Sequence, residues 1–507
     1  MSPITHPDIV PAKAKELKCQ DAPLLPGGGV MGLKNLKAMN AADKIQRFTD
    51  LLIEREGVMS KHVGRKCSTY KTGLLGQTLY VTSDPKNIQA LLATQFQDFD
   101  LGPARRGNII ALLGDGIFVQ DGEAWSHSRA LLRPQFARDQ VSDLELEERH
   151  LQDLMTVLPA KADGWTAETD IQTLFFRLTM DTATEFLFGE SVDSQISESK
   201  AVEGGKKDEL AFTRNWDSAQ KYLAARFRLG DMYWLNNPKE FKHNNKVVND
   251  FLKHYVDLAL SKGSAEKDSE DGHKKYVLLN ELAKHTRDPA ELSGQLLNIL
   301  LAGRDTTASL LSWLFKELLR HPAVYQKLRK TILEDFGSYE EPKNITFATL
   351  KGCQYLQHTL NETLRLWAVV PSNARRSNKG TTIPRGGGPD GQSPVFIPPN
   401  TDVMYTIHVT HRRKDLWGED ADEFKPERWV GRKPGWEYLP FNGGPRICIG
   451  QQFALTEASY VVVRLLQRFD AIEPGVNELQ AGGHTSDLGL TNAPAQKVRL
   501  RLHEARR

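Results

Sequence analysis

Cys448 ends a short run, Phe441-Asn-Gly-Gly-Pro-Arg-Ile-Cys448, with Gly450 two residues beyond it and Arg446 two residues before. A helical pattern follows at once: Ala454, Ala458, Val461, Val462, Leu465 and Phe469 recur at the spacing of one helix face. A cysteine on a tight loop at the start of a helix, beside an arginine, is set up as a thiolate, because helix N-termini and cations stabilise negative charge. Such a thiolate serves as a nucleophile or as a metal ligand. The loop by itself leaves both open, together with a plain buried structural cysteine.

Three further stretches carry chemistry. Ala302-Gly-Arg-Asp-Thr-Thr307 lies inside Leu296 to Phe315, the most apolar long stretch of the chain. An acid and two hydroxyls there are costly unless paired, and glycine in a helix interior costs about 1 kcal/mol against alanine. A glycine beside a polar cluster predicts that something approaches the backbone closely. Glu362 and Arg365 are spaced i, i+3, which in isolation is an ordinary surface pair worth a few tenths of a kcal/mol. Pro426-Glu-Arg-Trp429 in isolation is a proline-led turn.

The elements that must position these groups are mostly helices. Periodicity predicts helices over Ala41–Glu56, from Glu123, over much of residues 141–260, and over Asp288–Arg320, Pro322–Phe336 and Phe347–Trp367. Gln77–Thr82 and Asp402–Ile407 read as strands, and Asp84-Pro85 as the cap and first turn of a helix through Leu92. Ser194–Glu209 is a polar interruption, Ser261–Lys275 a solvated loop, and Asn378–Asn400 is rich in glycine and proline with short β pieces at best. The fold class is mainly α with small β-sheets. Residues 1–44 form a lead segment and 45–507 a single domain.

Composition removes several functions. The 507 residues carry 66 basic and 64 acidic side chains, without the basic excess of a nucleic-acid protein. Cys19, Cys67, Cys353 and Cys448 are scattered, with no CxxC pair, which argues against a disulfide framework or zinc site and for reducing surroundings. Gly27, Gly29 and Gly32 satisfy GxGxxG, but Pro23 and Pro26 precede them where a strand would be needed, so no dinucleotide site is predicted. No apolar run of about 20 residues occurs, so no membrane-spanning helix is predicted. Arg304 and Asp305 interrupt the best candidate.

In order and spacing, the four stretches resemble the cytochrome P450 family of haem-thiolate monooxygenases. Phe441 to Gly450 matches FxxGxRxCxG, Glu362 and Arg365 match ExxR, Pro426 to Trp429 is PERF-like with Trp for Phe, and Ala302 to Thr306 matches AGxDT. The resemblance spans roughly residues 45 to 500. It implies the cytochrome P450 fold, with haem b between the long central helix and the helix after the Cys loop. Cys448 would be the axial thiolate, which favours O–O cleavage. Phe441, Trp125, Arg129, Arg375 and Arg446 would be cofactor-binding, the tryptophan and arginines by neutralising the haem propionates; Arg376 is an adjacent competitor of Arg375. Asp305 and Thr306 would be the acid–alcohol pair that delivers protons during oxygen activation. Glu362, Arg365 and Arg428 would form a buried network locking the Cys loop.

Four segments, Arg129–Phe136, Ala302–Ala308, Arg385–Gly391 and Leu439–Arg446, look like the fungal group that hydroxylates alkanes and fatty acids. That implies terminal or near-terminal hydroxylation of a long aliphatic chain. The electrons would come from NADPH through a reductase, with peripheral membrane contact at the cytosolic face of the endoplasmic reticulum. Ala302 stands where some ω-hydroxylases carry a glutamate tethered to haem, so non-covalent haem is implied. Substrate contacts would come from Leu112–Phe118, Asp231–Leu235, Ile299–Ala302, Val369–Pro371 and Leu488–Leu490. The alternatives are hydroxylation of a secondary metabolite, a reductase-independent haem-thiolate isomerase or dehydratase, and a non-catalytic haem or lipid binder.

Overall fold

Asp84 and Pro85 do what their order predicts. In the computed structural model, which describes residues 12–136, 144–196, 207–261, 276–476 and 485–505, the Asp84 carboxylate accepts from the Lys86 and Asn87 amides. Pro85 supplies the first turn of the helix. The chain forms two units, each with its own core.

The first unit comprises Met1–Pro103, Val370–Asp422 and Pro434–Cys448. Its helices include α1 (Leu33–Lys44), α2 (Phe48–Val63) and α3 (Pro85–Gln89). The sequence predicts one helix over Ala41–Glu56. The structure breaks it at Ile45–Arg47, where Gln46 takes a left-handed φ of 60° and Arg47 pairs with Asp50 at 2.7 Å at the new start. The strands are β1 (Thr69–Leu74), β2 (Gln77–Thr82), β3 (Phe99–Asp100), β4 (Asn373–Ser377), β5 (Thr381–Gly387), β6 (Ser393–Ile397) and β7 (Asp402–Tyr405). One sheet runs β1-β2-β7-β4-β3, with β2 and β7 parallel and the other pairs antiparallel. The β1–β2 hairpin closes through Leu75 and Gly76, both at positive φ, the geometry that matches strand twist in two-residue turns. β5 and β6 pair as a separate hairpin, so residues 378–400 hold more β structure than their glycines suggest.

The second unit comprises Ala104–Val369, Glu423–Lys433 and Ile449–Arg507. Its helices include α4 (Pro103–Leu113), α5 (Gly122–Leu132), α6 (Leu144–Thr156), α7 (Ile171–Phe188), α8 (Lys207–Phe227), α9 (Lys239–Ser261), α10 (Pro289–Arg320), α11 (Pro322–Phe336), α12 (Phe347–Gly352), α13 (Gln354–Leu366) and α14 (Gln451–Arg468). α10 is the axis. The Asp288 carboxylate caps it by accepting from the Ala290 amide at 2.9 Å, and it packs against α7, α9, α13 and α14. The helix predicted over Phe347–Trp367 is two helices. A reciprocal Thr346–Thr349 capping box opens α12, and Cys353 in an extended conformation (ψ 92°) separates it from α13. A short hairpin, β8 (Ser486–Leu488) with β9 (Asn492–Pro494), completes the parts that matter below. Most of Ser194–Glu209 and nearly all of Ser261–Lys275 lie outside the described residues.

Candidate active site

The cysteine loop is shaped by its backbone. The Cys448 amide donates to the Phe441 carbonyl at 3.0 Å, and the Ile447 amide to the Gly444 carbonyl at 3.0 Å, closing a compact loop around one 3-10 turn. Gly444 has a φ of +68°, and a Cβ there would sit 1.7 Å from the Leu92 carbonyl oxygen. Only glycine satisfies both constraints. Cys448 forms no disulfide and its side chain is exposed. In the same unit, the Arg446 guanidinium lies over the Phe96 ring at 5.9 Å. Arg375 is buried against Tyr405 and donates to the Ala374 carbonyl at 2.8 Å. Its Nε has no hydrogen-bond partner among the described residues. Neighbouring Arg376 pairs with Asp402 at 3.7 Å.

In the second unit the structure brings Glu362, Arg365 and Arg428 together. Arg365 clasps Glu362 with both Nε and Nη2, at 2.8 and 2.9 Å. Arg428 Nε donates to the same carboxylate at 3.1 Å, and so does the Lys425 amide at 2.9 Å. The Trp429 indole N–H donates at 3.1 Å. The Glu362 and Arg365 side chains are 0% exposed. At full burial, removal of one partner would leave a charge without compensation, which is expensive. The indole contact is one that motif reasoning missed. The residue that departs from the usual Phe is a donor, and a Phe could not fill that role.

α10 is buried on nearly every side. The exceptions in its middle are Ile299, Ala302, Gly303 and Thr306, all half-buried, spaced i, i+3, i+4 and i+7 as a single stripe over two turns. Among the described residues nothing crowds Gly303: a Cβ there would meet only the Ala183 methyl at 3.9 Å. Thr306 donates from its hydroxyl to the Ala302 carbonyl at 2.6 Å, which leaves its oxygen lone pairs for another donor. Beside the stripe, Asp305 is buried and shares Arg304 Nη1 with Asp217 of α8, at 2.8 and 2.6 Å. Burial raises the Asp305 pKa to about 6; Arg304 opposes the rise and Asp217 adds to it.

Over residues 58–496 the sequence matches the family described as Cytochrome P450. The chain belongs to the cytochrome P450 family. It is 52% identical, over 97% of its own length and 86% of the relative's, to cytochrome P450 monooxygenase g430 of Fusarium sp. It is 50% identical, over 80% and 79% of the two lengths, to cytochrome P450 52A13 of Debaryomyces hansenii. The crystal structure of the cytochrome P450DA heme domain superposes with a TM-score of 0.73 over 96% of this chain and 97% of that one, at 21% identity, and so shares the fold. The chain is therefore a cytochrome P450 monooxygenase, of a family that uses haem iron on a cysteine thiolate.

The residues present in this P450 fit that cofactor. An exposed thiol stands on a glycine-cleared loop, and Arg375 is a buried cation with an unused donor, the kind of group that awaits a carboxylate. On α5, Arg129 lies against Trp125 at 5.9 Å, and both are half-buried. Of the expected substrate segments, Phe118, Ile299 and Leu490 are partly buried against one apolar cluster of the second unit. Leu112, Leu113 and Val369 are core, and Met232, Trp234 and Leu235 are exposed. Sequence reasoning also passed over Glu457 on α14, a fully buried acid raised to about 8 by desolvation, which contact with Thr307 of α10 partly opposes.

Proposed function

We propose that this cytochrome P450 hydroxylates a long alkane or fatty acid at or near its terminus, using electrons passed from NADPH by a flavoprotein reductase. The observation that supports this most is the α10 stripe. Ile299, Ala302 and the bare backbone at Gly303 form an apolar, uncharged face that ends at Thr306, one residue from a buried acid. A hydrocarbon gains about 25 cal/mol per Å² on leaving water for such a face, and it has no polar group that the face would leave unpaired.

Cys448 would hold haem b non-covalently through its thiolate, with Arg375, Arg446, Trp125 and Arg129 on the propionates and Phe441 at the base of the loop. Haem so ligated supplies dioxygen activation and the insertion of one oxygen atom into a C–H bond. The second oxygen atom must leave as water, so two protons have to reach the α10 face. Asp305 can pass them, since a carboxyl with a pKa near 6 is poised between its two forms at physiological pH. The Thr306 hydroxyl, oriented by the Ala302 carbonyl, hands them on. The Glu362–Arg365–Arg428 cluster would hold the chain that leads into the Cys loop.

Peripheral membrane contact at the endoplasmic reticulum is supported by the exposed Met232, Trp234 and Leu235 in the short helix Gly230–Leu235. Among the described residues no helix is long and apolar enough to cross a membrane. Spectral titration of the ferric protein with alkanes, fatty acids and polycyclic compounds tests the substrate class. The aliphatic chains are expected to shift the haem to high spin, and a response confined to polycyclic compounds would point to secondary metabolism instead. Turnover independent of NADPH and oxygen would replace the reading by an isomerase or dehydratase. Cys448→Ser is expected to abolish the strongly red-shifted Soret band of the reduced carbon monoxide complex.

A further inference from the structure

We propose that Asp217 is a positioning residue: by taking one side of the Arg304 guanidinium, it leaves Asp305 a carboxyl oxygen that no cation holds. The inference rests on the reading of Asp305 as a proton carrier.

Arg304 occupies the one position of the Ala302–Thr306 motif that the motif leaves open, and its partners decide what Asp305 can do. Side chains at i and i+1 of a helix do not face each other, so Arg304 reaches Asp305 only by curling back along α10. Its Nη1 lies 2.8 Å from Asp305 Oδ1 and 2.6 Å from Asp217 Oδ1. Its guanidinium carbon lies over the Phe176 ring of α7, 5.2 Å from the centroid. An arginine can clasp a carboxylate through two parallel N–H bonds. Here one nitrogen serves two acids, and Asp305 receives a single bond from it, on Oδ1.

Asp305 Oδ2 has no hydrogen-bond partner among the described residues, although the side chain is buried. The charged groups acting on it are Arg304 from α10 itself and Asp217 from α8. From α8 the neutral Gln220 side chain, one turn beyond Asp217, also favours the charged form, without a bond formed to Oδ2. The neighbouring face of α7 offers the guanidinium an aromatic ring. Asp217 is half exposed, at 49%, so its charge is supported by water while that of Asp305 is not. With Asp217 neutral, two effects follow with one sign. The negative charge that resists ionisation of Asp305 disappears, and Arg304 is released to clasp Asp305 alone. Both favour the carboxylate, which then holds a proton less readily.

The test is pH-difference infrared spectroscopy of the ferric holoenzyme at rest, with the Asp305 carboxyl band assigned by its loss in Asp305→Asn. Asp217→Asn is expected to move the midpoint of that band down by about one unit, the usual scale for a neighbouring charge. Asp217→Ser, also neutral, must do the same, and Asp217→Glu must restore the midpoint. Product formed per NADPH consumed should fall in the two neutral variants and recover in Asp217→Glu. An unchanged midpoint in Asp217→Asn and Asp217→Ser overturns the role given to Asp217. If the midpoint moves but neither the Asp217 variants nor Asp305→Asn alters coupling, Asp217 sets Asp305 and the reading of Asp305 as proton carrier is what fails.

Discussion

Two buried arginine–carboxylate clusters sit in the same unit and are built to opposite plans. Around Glu362 one acid meets two arginines, an indole and a backbone amide, and both of its oxygens are occupied. Around Arg304 one cation is divided between two acids, and one Asp305 oxygen is left over. Saturation makes a fixture, since no proton can enter without displacing a partner. Incomplete pairing makes a group that can gain and lose a proton near pH 6. The two arrangements use the same chemistry, and whether every carboxylate oxygen is bonded separates scaffold from relay.

Neutralising the acid in each cluster should therefore give opposite results. Glu362→Gln is expected to lose about 3–5 kcal/mol of stability, the cost of stranding buried arginines, read by denaturant unfolding and by haem retention. A loss under 1 kcal/mol would mean that the cluster is not the fixture its geometry suggests. Asp305→Asn should leave stability within about 1 kcal/mol of wild type below about pH 4, where the carboxyl is protonated whether folded or unfolded, and reduce product per oxygen consumed on the order of 100-fold, the low end of what positioned proton transfer contributes. Thr306→Ala should behave alike. Trp429→Phe sharpens the saturated side: losing one donor to a carboxylate should cost about 1–2 kcal/mol, measured by the same unfolding curve.

A pH dependence tests the other side of the comparison. Asp305 has a folded pKa of about 6, above the ordinary carboxyl value of about 3.9. Its contribution to stability is fully present below about pH 4 and is lost as pH rises through 6. Wild type should thus lose stability relative to Asp305→Asn between about pH 4 and 6, with a constant difference above. A difference that grows in the opposite direction would place the carboxyl in a favourable ionic setting and erase the contrast with Glu362.

What was legible in the sequence followed from local rules. Asp84-Pro85 marked a helix start because cap and first turn are adjacent residues. Cys448, Glu362 with Arg365, and Asp305 with Thr306 were legible as motifs. What escaped depended on partners distant in the chain or on backbone conformation. Asp217 lies on another helix, 87 positions from Arg304 in sequence, and nothing near it announces a role. The breaks at Gln46 and Cys353 turn on single backbone torsions inside stretches whose apolar spacing continues undisturbed. The expected close approach at Gly303 is not made by any of the described residues.

The oxygen that crowds Gly444 belongs to the main chain of Leu92. Any amino acid at position 92 presents that same carbonyl, so no exchange of its side chain can make room for a substitution at 444. The constraint is blind to genetic background. Most forbidden substitutions in a protein core can be rescued by a second change that trims the neighbour, and lineages drift through such pairs. This one has no partner to trim, and position 444 is closed to drift for as long as the loop and the turn at Leu92 keep their paths.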